Sequence, residues 1–163
     1  MHTIERTYTF SAAHIIPGHP KCGRMHGHNY KVEVSVTGEL SGPQNWIMDF
    51  GELDKIVKPL IDRLDHRFIK TDADELARSG VEVSLGWHVA NTVVVDAPSS
   101  SAESLAELLG RMIDKGLEVT SRTELLTMEV GTMNRLASVT TRIRVEYVTI
   151  WETERSSATW SPS

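Results

Sequence analysis

The chain has 163 residues, a formal net charge of −5 and seven histidines, with 40% hydrophobic and 24% charged residues. That balance supports one folded domain burying its own core, and excludes a disordered or fibrous chain. No stretch approaches the roughly 18 consecutive apolar residues of a membrane-spanning helix, and Met1-His2-Thr3-Ile4-Glu5-Arg6 lacks the apolar core of a secretory signal, so the expectation is a cytoplasmic protein with no membrane partner. The acidic balance also argues against nucleic acid, so any bound phosphate is expected on a small molecule.

Residues 3–14 carry Ile4, Tyr8 and Phe10 among Thr and Ser, a β-prone stretch that ends at Ala13-His14 before the breaker-rich Pro17-Gly18-His19-Pro20. Residues 29–37 alternate Tyr30, Val32, Val34 and Val36 with polar partners, the period-2 pattern of a half-buried strand. A long irregular loop joins these two strands. From Asp49, a plausible N-cap with Glu52 three residues on, Phe50, Leu53, Ile56, Val57, Leu60, Ile61 and Leu64 follow helical spacing; Pro59 predicts a kink or a break. Residues 70–98 hold Val81-Glu82-Val83 and Thr92-Val93-Val94-Val95 and read as an inserted hairpin or lid.

A second helix is predicted from the Ser99-Ser100-Ser101 cluster, with Ser100 and Glu103 as a capping box, Leu105, Leu108, Leu109, Met112 and Ile113 on one face, and Gly116 as its end. Residues 124–132 and 141–153 return to β character; the second stretch sets Ile143, Val145, Tyr147, Thr149 and Trp151 against Arg142, Arg144 and Glu146. Residues 154–163 read as a polar tail. The expected architecture is α+β in the order β-β-α-α-β-β, one domain over 1–153, without internal repeats.

The single cysteine, Cys22, excludes an internal disulfide and any zinc site built on paired thiolates, which leaves histidine as the residue to follow. Carried backwards from Tyr30, the inward face of the strand includes His28 and His26, because side chains two apart point the same way. His14, ending the preceding strand, lies beside them if the two strands pair antiparallel. Three neutral imidazoles around one point form a catalytic zinc site, with a fourth position open to water or substrate. The spacing fits equally a closed site with Cys22 as fourth ligand, or an H-x-H pair of ordinary surface histidines.

Asp65-His66 offers a carboxylate able to orient an imidazole for proton transfer, although such a dipeptide is commonly just a helix end. Glu152, between Trp151 and Thr153, can take a ring with two adjacent N–H donors or simply be solvated. His2, His19 and His88 are assigned to surface or loop roles.

Together, Phe10-Ser11-Ala12-Ala13-His14, Cys22-Gly23-Arg24-Met25-His26-Gly27-His28-Asn29-Tyr30, Trp46-Ile47-Met48-Asp49-Phe50, Leu64-Asp65-His66 and Trp151-Glu152-Thr153 resemble the 6-pyruvoyltetrahydropterin synthase family. The chain is most similar to the bacterial branch, the 6-carboxy-5,6,7,8-tetrahydropterin synthases, because only Gly23, Arg24 and Met25 separate Cys22 from His26. The resemblance covers nearly all of the chain outside 70–98 and the tail. It implies a tunnelling fold (T-fold): a four-stranded antiparallel sheet with two helices on one face, assembling as a homo-oligomer, tetramer or hexamer, with active sites at subunit interfaces.

For the site, the resemblance implies Zn2+ on His14, His26 and His28, Cys22 as the proton-abstracting base, Asp65 and His66 as its relay, and Glu152 as the pterin anchor with Ser101 and Thr153 as further contacts. Ser101 stands where the family has a pterin-contacting threonine and keeps the hydroxyl; the family's N-P-T is replaced by Ser99-Ser100-Ser101. The implied reaction is a lyase conversion of dihydroneopterin triphosphate to 6-carboxytetrahydropterin, releasing acetaldehyde and triphosphate, toward 7-deazaguanine and queuosine. The alternatives are the sister 6-pyruvoyl activity and a non-catalytic pterin- or metal-binding module.

Overall fold

Strand β1 (His2–His14) runs antiparallel to β2 (His26–Gly38) in unbroken register from His2 opposite Gly38 to His14 opposite His26. The computed structural model describes residues 1–71, 91–131 and 142–163, and within these the side chains of all but 120–131. The alternation read from the sequence is the alternation found: Tyr30, Val32, Val34 and Val36 are fully buried on the inner face of β2, and Tyr8, Phe10 and Ala12 continue that face on β1. Among the described residues no helix is long and apolar enough to cross a membrane.

Helix α1 (Phe50–Leu64) starts where expected, with the Asp49 carboxylate accepting the Gly51 N–H at 2.7 Å. It runs unbroken through Pro59, contrary to the predicted break. Pro59 is exposed, as is Lys55, whose carbonyl loses its donor, while Leu53, Val57, Ile61 and Leu64 hold the inner face in place.

After α1 the chain enters β3 (Arg67–Thr71) and later β4 (Thr92–Val95), both parallel to their neighbours, and the sheet order among the described residues is β4-β3-β1-β2-β5-β6. A four-stranded antiparallel portion is present as β1-β2-β5-β6, where β5 is Arg144–Thr153 and β6 is Ser156–Trp160, although β6 takes the place of the strand expected at 124–132. The two additional strands cover the free edge of β1, and α1 lies on the crossover that a parallel pairing requires. Thr92–Val95 pairs parallel to β3, which excludes a hairpin between these two strands. The Val81-Glu82-Val83 segment lies outside the described residues. The supposed polar tail contains β6, which becomes the sheet's other edge.

Helix α2 (Ala102–Gly131) begins one residue later than the predicted box and ends far beyond the predicted stop. Ser101 is the cap: its Oγ accepts from Ser104 N at 3.4 Å and its carbonyl from Leu105 N. Gly116 does not end the helix, because it marks a close crossing with α1; a Cβ there would lie 2.6 Å from Ile56 Cγ2. The stretch 124–131, expected as strand, is therefore helix.

In β5 the expected phase is also corrected. The register with β2 shifts between Ser35 and Val36, so Tyr147 opposes Ser35 while Val145 opposes Val36. This bulge moves Val148 and Ile150 onto the core face with Val145, and leaves Tyr147 and Trp151 on the other face. Both helices cover the same sheet face, where Leu105, Leu109, Ile113 and Leu117 of α2 join the α1 residues in one core. Each fully buried aliphatic side chain contributes about 1.5–3 kcal/mol.

Candidate functional site

Register alone brings the three histidines together. His14 closes β1 opposite His26, and His28 stands two residues further along β2 on the same face. Ring centroids are 4.5 Å apart for His14–His26, 5.2 Å for His14–His28 and 5.1 Å for His26–His28. One nitrogen from each lies within 4.8 Å of the others, and Cys22 is not part of this group.

The hydrogen bonding around the rings fits a metal. His14 Nδ1 donates to the Ser100 carbonyl at 2.7 Å, and His26 Nδ1 donates to the Arg24 carbonyl at 2.8 Å. With the proton fixed on Nδ1, each Nε2 keeps its lone pair for a ligand. Nε2 of His14 and of His28 are buried without a hydrogen-bond partner among the described residues, an arrangement costing about 1–3 kcal/mol per group unless something binds there. Burial pushes the His14 imidazole pKa down, which favours the neutral form a metal needs. His14, His26 and His28 can therefore hold a metal ion.

Beside the histidines is a cleft of about 310 Å3 whose walls include His14, His26, Cys22, His19, Ser101 and Glu152. Glu152 Oε1 is 3.9 Å from His14 Nε2, in ion-pair range but too far for a hydrogen bond. Ser100, read from sequence as the helix cap, is instead fully buried: its Oγ donates to the Ile15 carbonyl at 3.1 Å while its own carbonyl orients His14. Thr153 is not among the cleft residues; its Oγ1 accepts from Arg155 N in the turn to β6. His19, assigned from sequence to a loop, lines the cleft, and its Nδ1 accepts the Cys22 N–H at 2.9 Å. The short His19-Pro20-Lys21-Cys22 spacing was the available signal.

Asp65 and His66 are joined to each other but not to the cleft. Asp65 caps the C-terminus of α1; one carboxylate oxygen accepts Ser11 N at 2.8 Å and the other lies 2.9 Å from His66 Nδ1. The Ser11 N–H, with help from His66, holds the Asp65 carboxyl below its usual pKa. His66 is 83% exposed and sits at φ +57°, a left-handed conformation that a bulky side chain adopts only when held; its N–H donates to the Ser11 carbonyl at 2.7 Å. The result is an oriented imidazole presented outward.

A sheet with the two described helices on one face and a metal-competent triad at its strand ends defines the class: a tunnelling-fold protein. Residues 3–163 match the 6-pyruvoyl tetrahydropterin synthase family, and the chain belongs to that family. The 6-carboxy-5,6,7,8-tetrahydropterin synthase of Haemophilus influenzae is 40% identical over 80 residues, covering 46% of this chain and 57% of that protein. The enzyme of the same name from Aquifex aeolicus is 28% identical over 138 residues, covering 85% and 74%. A solved structure of a catalytic-residue variant of Plasmodium vivax 6-pyruvoyltetrahydropterin synthase has the same fold, with a TM-score of 0.65 at 19% identity over 98% of each chain. The chain spans about half to two thirds of the length of several curated relatives that it matches.

Proposed function

We propose that the protein is a zinc-dependent lyase that converts 7,8-dihydroneopterin triphosphate, with water, to 6-carboxy-5,6,7,8-tetrahydropterin, acetaldehyde and triphosphate, an early step toward 7-deazaguanines such as queuosine. The observation that carries this reading is the three-histidine group beside a cleft that two of those histidines, His14 and His26, line together with Cys22 and Glu152. His14, His26 and His28 would hold the zinc, which as a Lewis acid acidifies substrate hydroxyls and the adjoining C–H. Cys22 takes a proton from the substrate side chain. Glu152 accepts adjacent N–H donors of the pterin ring, and the Ser101 hydroxyl gives that ring a further partner.

His66, oriented by Asp65, passes the proton onward. Its outward exposure supports a site completed between two copies of the chain, one supplying the cleft and the other the Asp65–His66 pair. The short spacing of Cys22 from His26, and the names of the Haemophilus and Aquifex relatives, favour the carboxy product over the pyruvoyl one.

Incubating the zinc-loaded protein with dihydroneopterin triphosphate and assaying acetaldehyde tests this. Acetaldehyde in step with triphosphate is the expected result. Turnover without acetaldehyde would overturn the carboxy assignment, and absence of turnover would favour a binding module.

A further inference from the structure

The loop between β1 and β2 closes on Cys22 through a small set of hydrogen bonds. Ile16 N donates to the Cys22 carbonyl at 2.7 Å, His19 N to the Ile16 carbonyl at 3.2 Å and Gly23 N to the His19 carbonyl at 2.9 Å. One bond in the set comes from a side chain: Cys22 N donates to His19 Nδ1 at 2.9 Å. Cys22 is thus tied on its N–H, on its carbonyl and on the next N–H, and His19 accepts two of those three bonds.

The neighbouring glycine supports the same geometry. A Cβ on Gly23 would lie 2.5 Å from the His19 carbonyl oxygen, a backbone atom that cannot swing aside, so the loop closes onto His19 only with glycine at 23. With φ and ψ of Cys22 held, the thiol has only its staggered χ1 positions to choose from. A lost N–H bond would let the residue rotate, and an error of about 1 Å in a reacting group costs on the order of 100-fold in rate.

Resting on the reading of Cys22 as the base, we propose that His19 is a positioning residue, whose Nδ1 holds the Cys22 backbone so that the thiol faces the cleft. Because Nδ1 accepts, the ring is neutral with its proton on Nε2. Asparagine can replace this function, since its Oδ1 lies the same number of bonds from Cα as Nδ1. Glutamine reaches one bond further, and so mimics Nε2 instead.

The test compares the zinc-loaded wild type with His19→Asn, His19→Gln and His19→Phe by kcat, KM, zinc content and the rate at which iodoacetamide alkylates Cys22, the chain's single cysteine, at fixed pH. His19→Phe is expected to lower kcat by about tenfold or more with KM within about twofold, to keep its zinc, and to change the alkylation rate several-fold. His19→Asn should restore both readouts to within about threefold, and His19→Gln should not. Rescue by Gln and not Asn would make His19 a substrate contact, and wild-type behaviour of His19→Phe, or failure of His19→Asn to improve on it, would also overturn the proposal. A wild type without turnover would sink the proposed reaction, while the alkylation rates still judge His19.

Discussion

Two polar clusters sit along the inner edge of β1, and their hydrogen bonding is opposite. Near its start, Asp54 of α1 accepts Arg6 through both oxygens, at 3.1 and 2.7 Å, and also takes Tyr8 Oη at 2.9 Å and Lys58 Nζ at 2.9 Å. The Arg6 guanidinium holds the Asp54 carboxyl far below its usual pKa, and burial lifts the Tyr8 phenol above its own. At the other end of the strand, three imidazoles bring one nitrogen each to within 4.8 Å of the others, and Nε2 of His14 and of His28 are buried without a hydrogen-bond partner among the described residues. The saturated cluster fastens a helix to a sheet. The unsaturated one leaves donors where a ligand belongs, which is why buried polar groups should be sorted by satisfaction and not by number.

That contrast can be broken most severely by His26→Ala, expected to abolish stoichiometric zinc binding and turnover together; full zinc occupancy by metal analysis would refute the three-histidine site. Next in size, Cys22→Ala should retain zinc and lose about 10²–10⁴-fold in kcat, in keeping with removal of a general base. Loss of zinc in that variant would make Cys22 a ligand and close the site. The smallest effect is expected at the saturated cluster: Asp54→Asn should leave zinc content unchanged and lower unfolding free energy by about 1–3 kcal/mol, measured by denaturant unfolding.

The Asp54 contrast also has a pH signature. Its folded pKa is depressed, so the unfolded chain binds this proton first and the stabilisation is full only above the unfolded value of about 3.9. The stability gap between wild type and Asp54→Asn should therefore be full at about pH 7 and shrink as pH falls below about 4 toward the folded pKa. A gap independent of pH would show that the carboxylate's charge is not what fastens α1.

Much of the fold was legible where a local pattern and the tertiary environment agree. The alternation from Tyr30 to Val36 carries His28 and His26 onto the face of the buried valines, and Asp49 marks the start of α1. Reading failed where a residue's meaning depends on a distant neighbour. Gly116 looks like a helix end until Ile56 is seen against it, and Tyr147 looks inward until the bulge opposite Ser35 reverses the phase. Among candidate site residues, Glu152 and Ser101 do line the histidine cleft, whereas Thr153 serves a turn and the Asp65–His66 pair, with His66 exposed, is not part of the cleft wall.

By itself, then, the sequence determined the inward faces of β1 and β2, the start of α1, and the shared face of His26 and His28, because side-chain period follows from local backbone geometry, while the β1–β2 pairing that adds His14 is a long-range contact. Only the tertiary structure decided the parallel strands beyond β1, the length of α2, the strand hidden in the tail, and the placing of His19 behind Cys22. Each of these depends on a hydrogen bond or a close packing contact between groups whose sequence pattern alone admits several partners.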